Sequence, residues 1–308
     1  MRILITGGAG FIGSHLVEEL IKAKENSLLV IDNLLTGKKS NLDFNQDFEL
    51  VIDELGSRSS LEKIQAFNPE ICYHLAAQSS VVVSVEDPAL DFEHNILQPI
   101  KLIQTLLKTD CKKFIFTSSG GTIFGEPDVI PTSEIDFAGE PESPYGVAKK
   151  RLNELIEIMT NDTKLSYSIL NLSNVYGPKQ DPHGEAGVVS IFASKFLNNE
   201  SPTIYGDGNQ TRDYIFVKDV VSALLLSALS DENLFLNIGT GIETSVNELV
   251  SSMQKEFNSK VEPIFAEARE GELKRSVLSN KLAMEKLNWV PEYTLSQGMQ
   301  KVFEWLKT

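Results

Sequence analysis

The chain has 308 residues, and its 28 basic and 43 acidic side chains give a formal net charge of −15. Hydrophobic residues make up 42% and charged residues 23%, a mixture typical of folded proteins that excludes a disordered or collagen-like chain. So large a negative charge argues against a protein that wraps nucleic acid or binds an anionic membrane surface, and we expect neither partner.

The chain has too few cysteines and histidines for a disulfide-rich protein or for a metal site of the usual spacing. Two cysteines cannot form a disulfide framework, and the four histidines show no short metal-ligand spacing, so we expect no metal site. The segment after Met1 reaches glycines sooner than a secretory signal would, and no apolar run approaches the roughly 20 residues of a membrane span. We therefore expect a cytoplasmic protein.

The first half of the chain alternates apolar runs with amphipathic segments. Short length and β-branched content predict strands at 3–6, 28–31, 48–52, 71–74, 114–117 and 168–172. Apolar residues at helical spacing predict helices at 11–24, 60–67, 89–108 and 144–160. This alternation predicts an α/β fold in which a parallel sheet is covered by helices on both faces.

The pattern loosens after about residue 175, where a turn-rich connection begins. Helices are predicted near 186–198, 218–229, 245–257 and 294–306, and strands near 203–205, 234–238 and 261–265. We expect one domain at 1–175 and a smaller α/β lobe at 176–308, with some segments near 205–240 returning to the large sheet.

Three glycines separate the first strand from the first helix. Gly7 permits a sharp turn, Gly10 lets a pyrophosphate approach the backbone, and Gly13 lets the helix pack close to the sheet. Asp32 ends the second strand, 19 positions after Gly13, where a carboxylate accepts hydrogen bonds from an adenosine ribose. Because a carboxylate there repels a 2′-phosphate, the pattern predicts NAD rather than NADP.

Two further segments are candidates for contacts with the adenosine half of the dinucleotide. Thr36 and Gly37 follow Asp32 in a loop that could close over the ribose side. Asp53 follows the third strand and could accept a hydrogen bond from the adenine amino group. An ordinary loop acid explains the spacing of Asp53 nearly as well, so both interpretations stay open.

Tyr145 and Lys149 are four residues apart on a predicted helix, so they share one face. A nearby ammonium stabilises a phenolate, which makes this pair a candidate general acid and base. Upstream, the fifth strand ends in the hydroxyls of Ser118, Ser119 and Thr122, which could bind a substrate hydroxyl. The conjunction of these features is far less expected by chance than any one of them.

Eight stretches together carry a resemblance over the whole chain: TGGAGFIGSH from residue 6, DNLLTG from 32, HLAAQ from 74, 118–125, 145–149, NVYGP from 174, YGDGNQTRDYIF from 205 and NIG from 237. They resemble the extended short-chain dehydrogenases/reductases, and most closely nucleotide-sugar enzymes of the UDP-glucose 4-epimerase type. The resemblance implies a Rossmann-type doubly wound sheet, a substrate-binding C-terminal lobe, a UDP-sugar substrate, bound NAD and a 4-keto intermediate. It also implies a homodimer formed through the helices near 89–108 and 144–160.

The same resemblance assigns roles to single residues. Contacts with the cofactor are implied for Phe11, Ile12, Asn33, Leu34, Asp53, Glu54, Leu75, Ala76, Ala77, Ser79, Asn95, Ser118 and Lys149. Contacts with the substrate are implied for Asn174, Val188, Val189, Arg212, Arg269, Glu272 and Ser276. Among these, the two arginines would neutralise the diphosphate, and the small Ser276 would leave room for an N-acetyl group.

The chain departs from the pattern of the family after the fifth strand. Gly120 and Gly121 add a residue there, so Ser119 and Thr122 compete for the role of catalytic hydroxyl, and we favour Ser119. The resemblance implies that a dehydratase would have an acidic pair just after the strand, and the segment from Ser118 to Gly125 contains no carboxylate, which argues against a dehydratase. Two alternatives remain: an NAD(P)H-dependent 4-keto reductase and a non-catalytic dinucleotide-binding regulator.

Overall fold

The computed structural model of the protein describes residues 1–44, 47–135, 139–182, 187–269 and 273–307. The strands of this part of the chain are β1 (Arg2–Thr6), β2 (Ser27–Asp32), β3 (Glu49–Ile52), β4 (Ile71–His74), β5 (Lys113–Ser119), β6 (Ser166–Leu172), β7 (Asn174–Tyr176), β8 (Thr203–Tyr205), β9 (Thr211–Arg212), β10 (Tyr214–Phe216), β11 (Leu234–Ile238), β12 (Thr244–Ser245), β13 (Ile264–Ala266) and β14 (Arg275–Ser276).

Its α-helices are α1 (Phe11–Leu20), α2 (Arg58–Phe67), α3 (Val81–Glu86), α4 (Pro88–Phe92), α5 (Gln98–Leu106), α6 (Gly120–Ile123), α7 (Pro144–Thr160), α8 (Val188–Leu197), α9 (Val217–Ser227), α10 (Val246–Glu256), α11 (Lys281–Leu287) and α12 (Leu295–Leu306). The predicted strands of the first half are confirmed as β1 to β6, and the predicted helix at 144–160 is confirmed as α7.

One parallel sheet contains seven of these strands in the order β11-β6-β5-β4-β1-β2-β3. β1 lies between β4 and β2, and its last residue, Thr6, pairs with His74 on one side and Ile31 on the other. The carboxyl ends of these strands therefore meet at one edge of the sheet. The α/β prediction is confirmed, and β11, at 234–238, lies next to β6 in this sheet.

Helices α2, α5 and α7 supply apolar side chains to a core that also contains the central strands. Fully buried members include Leu4 of β1, Cys72 of β4, Phe114 of β5, Leu102 of α5 and Leu152 of α7. Complete burial of such side chains contributes about 1.5–3 kcal/mol each. The near-continuous apolar strands are explained by this burial on both faces of the sheet.

The helix predicted at 89–108 is interrupted in the structure. α4 ends at Phe92, a π-helical turn covers Glu93–Leu97, and α5 begins at Gln98. Pro99 lacks an N–H group, so it cannot donate to the carbonyl four residues earlier, and the regular hydrogen-bond ladder cannot run through this point. The wider turn brings Asn95 into the interior, where it is buried.

The chain divides into two compact units, and each unit consists of three separate segments of the sequence. The first contains Met1–Ile123, Pro141–Asn171 and Val221–Leu236, and the second contains Phe124–Glu140, Leu172–Val220 and Asn237–Thr308. Within the described ranges, no helix has both the length and the apolar character needed to cross a membrane.

The second unit is built from short strand pairs rather than from one sheet. β7 pairs with β10, β9 lies between β12 and β14, and β8 pairs with β13. The buried Asp213 joins three of its segments, because its carboxylate accepts hydrogen bonds from the backbone N–H groups of Thr240, Gly241 and Leu278. Burial raises the pKa of this carboxyl. Several of these strands have only two or three residues, too few for a sequence pattern to predict.

Candidate active site

The glycine turn after β1 brings three parts of the chain into van der Waals contact. Gly7 has a φ of +72°, and a Cβ atom there would lie 2.6 Å from the backbone nitrogen of Ala76, in the loop after β4. A Cβ atom on Gly13 would overlap with the carbonyl oxygen of Gly7. α1 begins at Phe11 without a side-chain cap, so the first peptide N–H groups of this helix are suited to bind an anion.

Asp32 is buried at the carboxyl end of β2 and is held by the backbone of two loops. Its carboxylate accepts hydrogen bonds from the N–H groups of Ala9 and Leu34, each at 2.8 Å. A Cβ atom on Gly37 would lie 2.8 Å from Oδ1 of Asp32. The glycine turn, Asp32 and the loop that contains Thr36 and Gly37 are thus brought together in the first unit.

The two acids after β3 have different surroundings. Asp53 accepts hydrogen bonds from the hydroxyl of Ser57 at 2.6 Å and from the N–H of Glu54 at 2.8 Å. The Ser57 hydrogen bond, followed by that of the Glu54 N–H, lowers the pKa of Asp53. Glu54 instead accepts from Asn33 at 3.0 Å and from Gln98 at 3.1 Å. These contacts give Asp53 a structural role at the start of α2, whatever it contributes to cofactor binding.

The segment after β4 passes next to the end of β1. The N–H of Leu75 donates to the carbonyl oxygen of Thr6. The backbone nitrogen of Ala76 lies 3.4 Å from the hydroxyl oxygen of Thr6. Ala77 follows, half-buried, and Ser79 is exposed. Leu75 and Ala76 therefore lie beside the glycine turn.

Lys149 is 3% exposed, and Tyr145 is 8% exposed one turn earlier in α7. The ammonium of Lys149 donates a hydrogen bond to the carbonyl oxygen of Thr117 at 3.1 Å. It lies 4.6 Å from the ring centroid of Phe116 and 5.8 Å from that of Tyr145. Burial lowers the pKa of Lys149 to about 7, although the negative charge of Asp91 opposes this shift. An ammonium is thus held close to the phenol, as general acid–base chemistry requires.

The three hydroxyl residues at the end of β5 and in α6 are not equivalent. The hydroxyl oxygen of Ser118 is buried, with no hydrogen-bond partner in the described part of the chain. The hydroxyl of Thr122 donates to the carbonyl oxygen of Ser119 at 3.3 Å. Ser119 is half-buried at the end of β5. The proton of Thr122 is thus engaged locally, and the choice of Ser119 as the catalytic hydroxyl stays a prediction.

Sequence reasoning missed a buried polar cluster in the same unit. Asp91 of α4 accepts hydrogen bonds from Gln78 at 2.7 Å and from Asn95 at 2.9 Å. Asn95 also donates to the backbone carbonyl oxygen of Gln78 at 2.8 Å. The i, i+4 spacing of Asp91 and Asn95 on a helix was the available signal. This cluster attaches the loop after β4 to the π-helical turn.

Three candidate substrate residues of the second unit surround one backbone segment. The N–H of Asn174 donates to the carbonyl oxygen of Asp213, and the N–H of Asp213 donates to that of Ser276. Arg212 pairs with Ser276 across β9 and β14, and its guanidinium donates to the carbonyl oxygens of Thr211 and Leu273. Asn174, Arg212 and Ser276 are thus held together by main-chain hydrogen bonds.

The remaining substrate candidates of the second unit are more dispersed. The guanidinium of Arg269 lies 3.9 Å from the ring centroid of Tyr205, a stacking contact that orients the charge. Val188 and Val189 begin α8, and Val189 is buried. Glu272 lies outside the described residues, so its predicted role stays a prediction from the sequence.

The residues of the first unit fit NAD, the dinucleotide that the sequence predicts. The close contacts at Gly7 and Gly13 hold α1 and the loop after β4 against the turn, and Gly10 has no side chain where a pyrophosphate must approach the backbone. The carboxylate of Asp32 lies at the end of β2, where it can accept hydrogen bonds from the ribose hydroxyls. A negative charge at that position is unfavourable for a 2′-phosphate, which agrees with NAD as the cofactor.

His74, at the end of β4, makes the stability of the fold depend on pH. Its Nδ1 is 2.7 Å from the hydroxyl oxygen of Thr6, and burial, followed by the nearby charge of Lys149, lowers its pKa from 6.5 to about 3. The unfolded chain therefore binds a proton at pH 5 that the folded chain does not, and stability falls as the pH drops below 6.5.

We expect the free energy of unfolding to decrease by roughly 2 kcal/mol between pH 6.5 and pH 5 because of His74. Urea unfolding of the wild type and of His74→Gln at both pH values measures this contribution. The variant is expected to lose less stability over that interval. An equal loss in both proteins would contradict the assignment of the pH dependence to His74.

The sequence and the structure are both similar to those of known proteins. Residues 3–239 match the model of the NAD dependent epimerase/dehydratase family. The structure of UDP-glucose 4-epimerase with UDP-glucose from Thermotoga maritima is 41% identical, with a TM-score of 0.96, and the match covers 100% of this chain and 99% of that one.

Two further solved structures are similar over nearly their whole length. UDP-glucose 4-epimerase from Thermus thermophilus, in complex with NAD, is 37% identical with a TM-score of 0.91, covering 100% of this chain and 99% of that one. UDP-N-acetylglucosamine 4-epimerase from Methanobrevibacter ruminantium, in complex with UDP-N-acetylmuramic acid, is 32% identical with a TM-score of 0.93, covering 99% and 98%. The chain belongs to the NAD dependent epimerase/dehydratase family.

Proposed function

We propose that this protein interconverts UDP-glucose and UDP-galactose by epimerisation at C4 of the sugar. The reaction class, an NAD-dependent nucleotide-sugar 4-epimerase, is supported by the family and by the similarity to 4-epimerases over the whole chain. The observation that carries the proposal is the buried Tyr145–Lys149 pair, which lies in the same unit as the glycine turn and Asp32.

The residues of the first unit would hold the cofactor and move one proton. The glycine turn and Asp32 would hold NAD, which would supply an acceptor and then a donor of hydride for C4 of the sugar. Tyr145, as the phenolate, takes the proton of the 4-hydroxyl group and later gives it back, and Ser119 bridges the two oxygens. The Lys149 ammonium stabilises the phenolate, because opposite charges attract strongly where water is excluded.

The candidate residues of the second unit would bind the nucleotide diphosphate, which stays attached to the sugar throughout the reaction. The guanidinium groups of Arg212 and Arg269 are suited to a diphosphate, since their planar donors match phosphate oxygens. Asn174 would contact the sugar diphosphate, and Val188 and Val189 would flank the nucleotide. Two arginines at the substrate would allow a chain of net charge −15 to bind an anionic nucleotide sugar.

A single preparation tests the proposal. The purified protein is denatured, the released dinucleotide is identified, and native protein is assayed with UDP-galactose without added cofactor. We expect released NAD and formation of UDP-glucose. Stoichiometric consumption of added NADH or NADPH with a 4-keto sugar would identify a reductase instead, and bound dinucleotide without turnover of any nucleotide sugar would favour a regulator.

The buried Ser276 leads to a prediction about the sugar. Its side chain is small and 8% exposed, and the resemblance places it beside the 2-substituent. We expect turnover of UDP-N-acetylglucosamine as well as UDP-glucose. Ser276→Tyr should lower kcat/KM for the acetylated sugar by about 10-fold or more, since loss of space in a pocket discriminates by this order. The ratio of kcat/KM for the two sugars is the measurement, and absence of turnover of the acetylated sugar by the wild type would contradict the prediction.

We further propose a homodimer formed through the segments near 89–108 and 144–160. Phe92, Leu97 and Ile158 lie on these segments and are exposed, although large apolar side chains of this kind favour burial. We expect the double variant Leu97→Lys and Ile158→Lys to convert a dimer into a monomer, because it places charge in the interface. Light scattering coupled to gel filtration measures the mass, and Leu229→Lys, at an exposed apolar residue outside both segments, is the matched control.

A further inference from the structure

The side chain of Asp91 is fully buried, and only one of its two carboxylate oxygens accepts hydrogen bonds in the described part of the chain. Oδ1 accepts hydrogen bonds from the side-chain nitrogens of Gln78 at 2.7 Å and Asn95 at 2.9 Å. Oδ2 is buried as well, and in the described ranges it has no hydrogen-bond partner. Burial of a charged oxygen without compensation is costly, so a nearby positive charge would favour the ionised form of Asp91.

The candidate for this positive charge is Lys149, on the helix packed against α4. Both α4 and the π-helical turn at Glu93–Leu97 pack on α7, the helix that carries Lys149. The ammonium of Lys149 has three N–H donors, of which the contact with the carbonyl oxygen of Thr117 uses one. Asp91 and Lys149 are thus buried on two helices in contact, and the attraction between their charges favours the ionised form of each without direct contact.

We propose that Asp91 is a positioning residue for the Tyr145–Lys149 pair, because its negative charge keeps Lys149 protonated inside the protein. The consequence for catalysis rests on the function proposed above, in which a protonated Lys149 stabilises the phenolate of Tyr145. Without Asp91, the buried amine would lose its proton at neutral pH, and the phenol of Tyr145 would keep its own.

The other titratable groups near this pair do not supply the negative charge that Asp91 provides to Lys149. His74 of β4 is neutral at physiological pH, because burial, followed by the charge of Lys149, lowers its pKa to about 3. His94 of the π-helical turn contributes a favourable interaction with the Asp91 carboxylate. Tyr145 is on the same helix as Lys149. Burial raises the pKa of Asp91 and lowers that of Lys149 to about 7, and the attraction between the two opposes both shifts.

Asp91→Asn removes the charge and keeps the shape. The amide oxygen of asparagine can still accept from Gln78 and Asn95, so the hydrogen-bond cluster is retained. The pKa of Lys149 is measured by NMR on protein labelled with ¹⁵N at the lysine Nζ, and its signal is assigned by its loss in Lys149→Met. We expect this pKa to fall by about 1–2 units in Asp91→Asn. A purely structural role of Asp91 predicts no change.

Asp219→Asn is the matched control. Asp219 is a buried helical carboxylate of the second unit that accepts hydrogen bonds from the N–H groups of Glu292 and Tyr293, and burial raises its pKa too. Its replacement is expected to lower the melting temperature without changing the pKa of Lys149. This control separates loss of a buried charge in general from loss of this one.

The reverse measurement keeps the proposal testable if Asp91→Asn does not fold. Coupling between two charges is reciprocal, so Lys149→Met must raise the pKa of Asp91 by the same amount. The carboxyl ¹³C shift of Asp91 reports this value. If either variant folds and the pKa of the partner residue does not move, the proposal is wrong.

Turnover provides a separate measurement. We expect kcat of Asp91→Asn to fall by about 10- to 100-fold at neutral pH, in line with a tenfold change for each pKa unit, while KM for UDP-galactose changes little. If the wild type does not epimerise any nucleotide sugar, the proposed function fails. The NMR titration of Lys149 still decides whether Asp91 controls its protonation.

Discussion

Tyr145→Phe is expected to lower kcat for UDP-galactose by about 10²- to 10⁴-fold, the usual contribution of a general acid–base group. The ring would stay in place, since Tyr145 is 8% exposed and phenylalanine has the same shape without the hydroxyl. Lys149 would keep its hydrogen bond to Thr117, and the glycine turn would be unchanged. The variant should therefore retain its dinucleotide, which is measured as NAD released on denaturation.

Tyr167→Phe is the matched control for this substitution. Tyr167 lies on β6 in the same unit and is half-buried, and its backbone carbonyl oxygen accepts a hydrogen bond from Lys113. Loss of its phenol hydroxyl should leave kcat within about twofold of the wild type, as for most substitutions away from a site. Residual epimerisation by Tyr145→Phe at a tenth of the wild-type rate or more would contradict the role of Tyr145 as the proton carrier.

Gly13→Ala is expected to abolish NAD binding and to destabilise the fold. In an ordinary exposed helix this change stabilises by about 1 kcal/mol, because alanine has the higher helix propensity. Here the new methyl group would overlap with the carbonyl oxygen of Gly7, so α1 must move away from the turn. Overpacking of this kind costs about 1–3 kcal/mol, and it displaces the N–H groups that would bind the pyrophosphate.

The content of bound dinucleotide and the melting temperature measure the two effects of Gly13→Ala. Gly187→Ala is the control, because a Cβ atom at Gly187 would lie 3.2 Å from Nε2 of Gln180, the mobile end of a flexible side chain. That variant is expected to keep its NAD. Full NAD occupancy in Gly13→Ala would show that the close contact between α1 and the turn is not required.

Local patterns predicted most of the first unit. Each strand from β1 to β6 is a short apolar run, and α7 begins at Pro144 and ends at Thr160 as its spacing indicates. The predictions were less accurate where tertiary contacts override the pattern, as at the π-helical turn before Pro99. They missed the shortest elements, including β9 and β14, because two residues show no periodicity.

The chemistry of the candidate site divides in the same way. The sequence by itself determined the glycine turn, the acid at the end of β2 and the spacing of Tyr145 and Lys149, because turns, strand ends and helical faces follow from neighbouring residues. Only the tertiary structure decided that Asp91 is buried near Lys149 and that His74 is held neutral. Burial depends on how segments distant in the chain pack together, and burial in turn sets the charge of these groups at neutral pH.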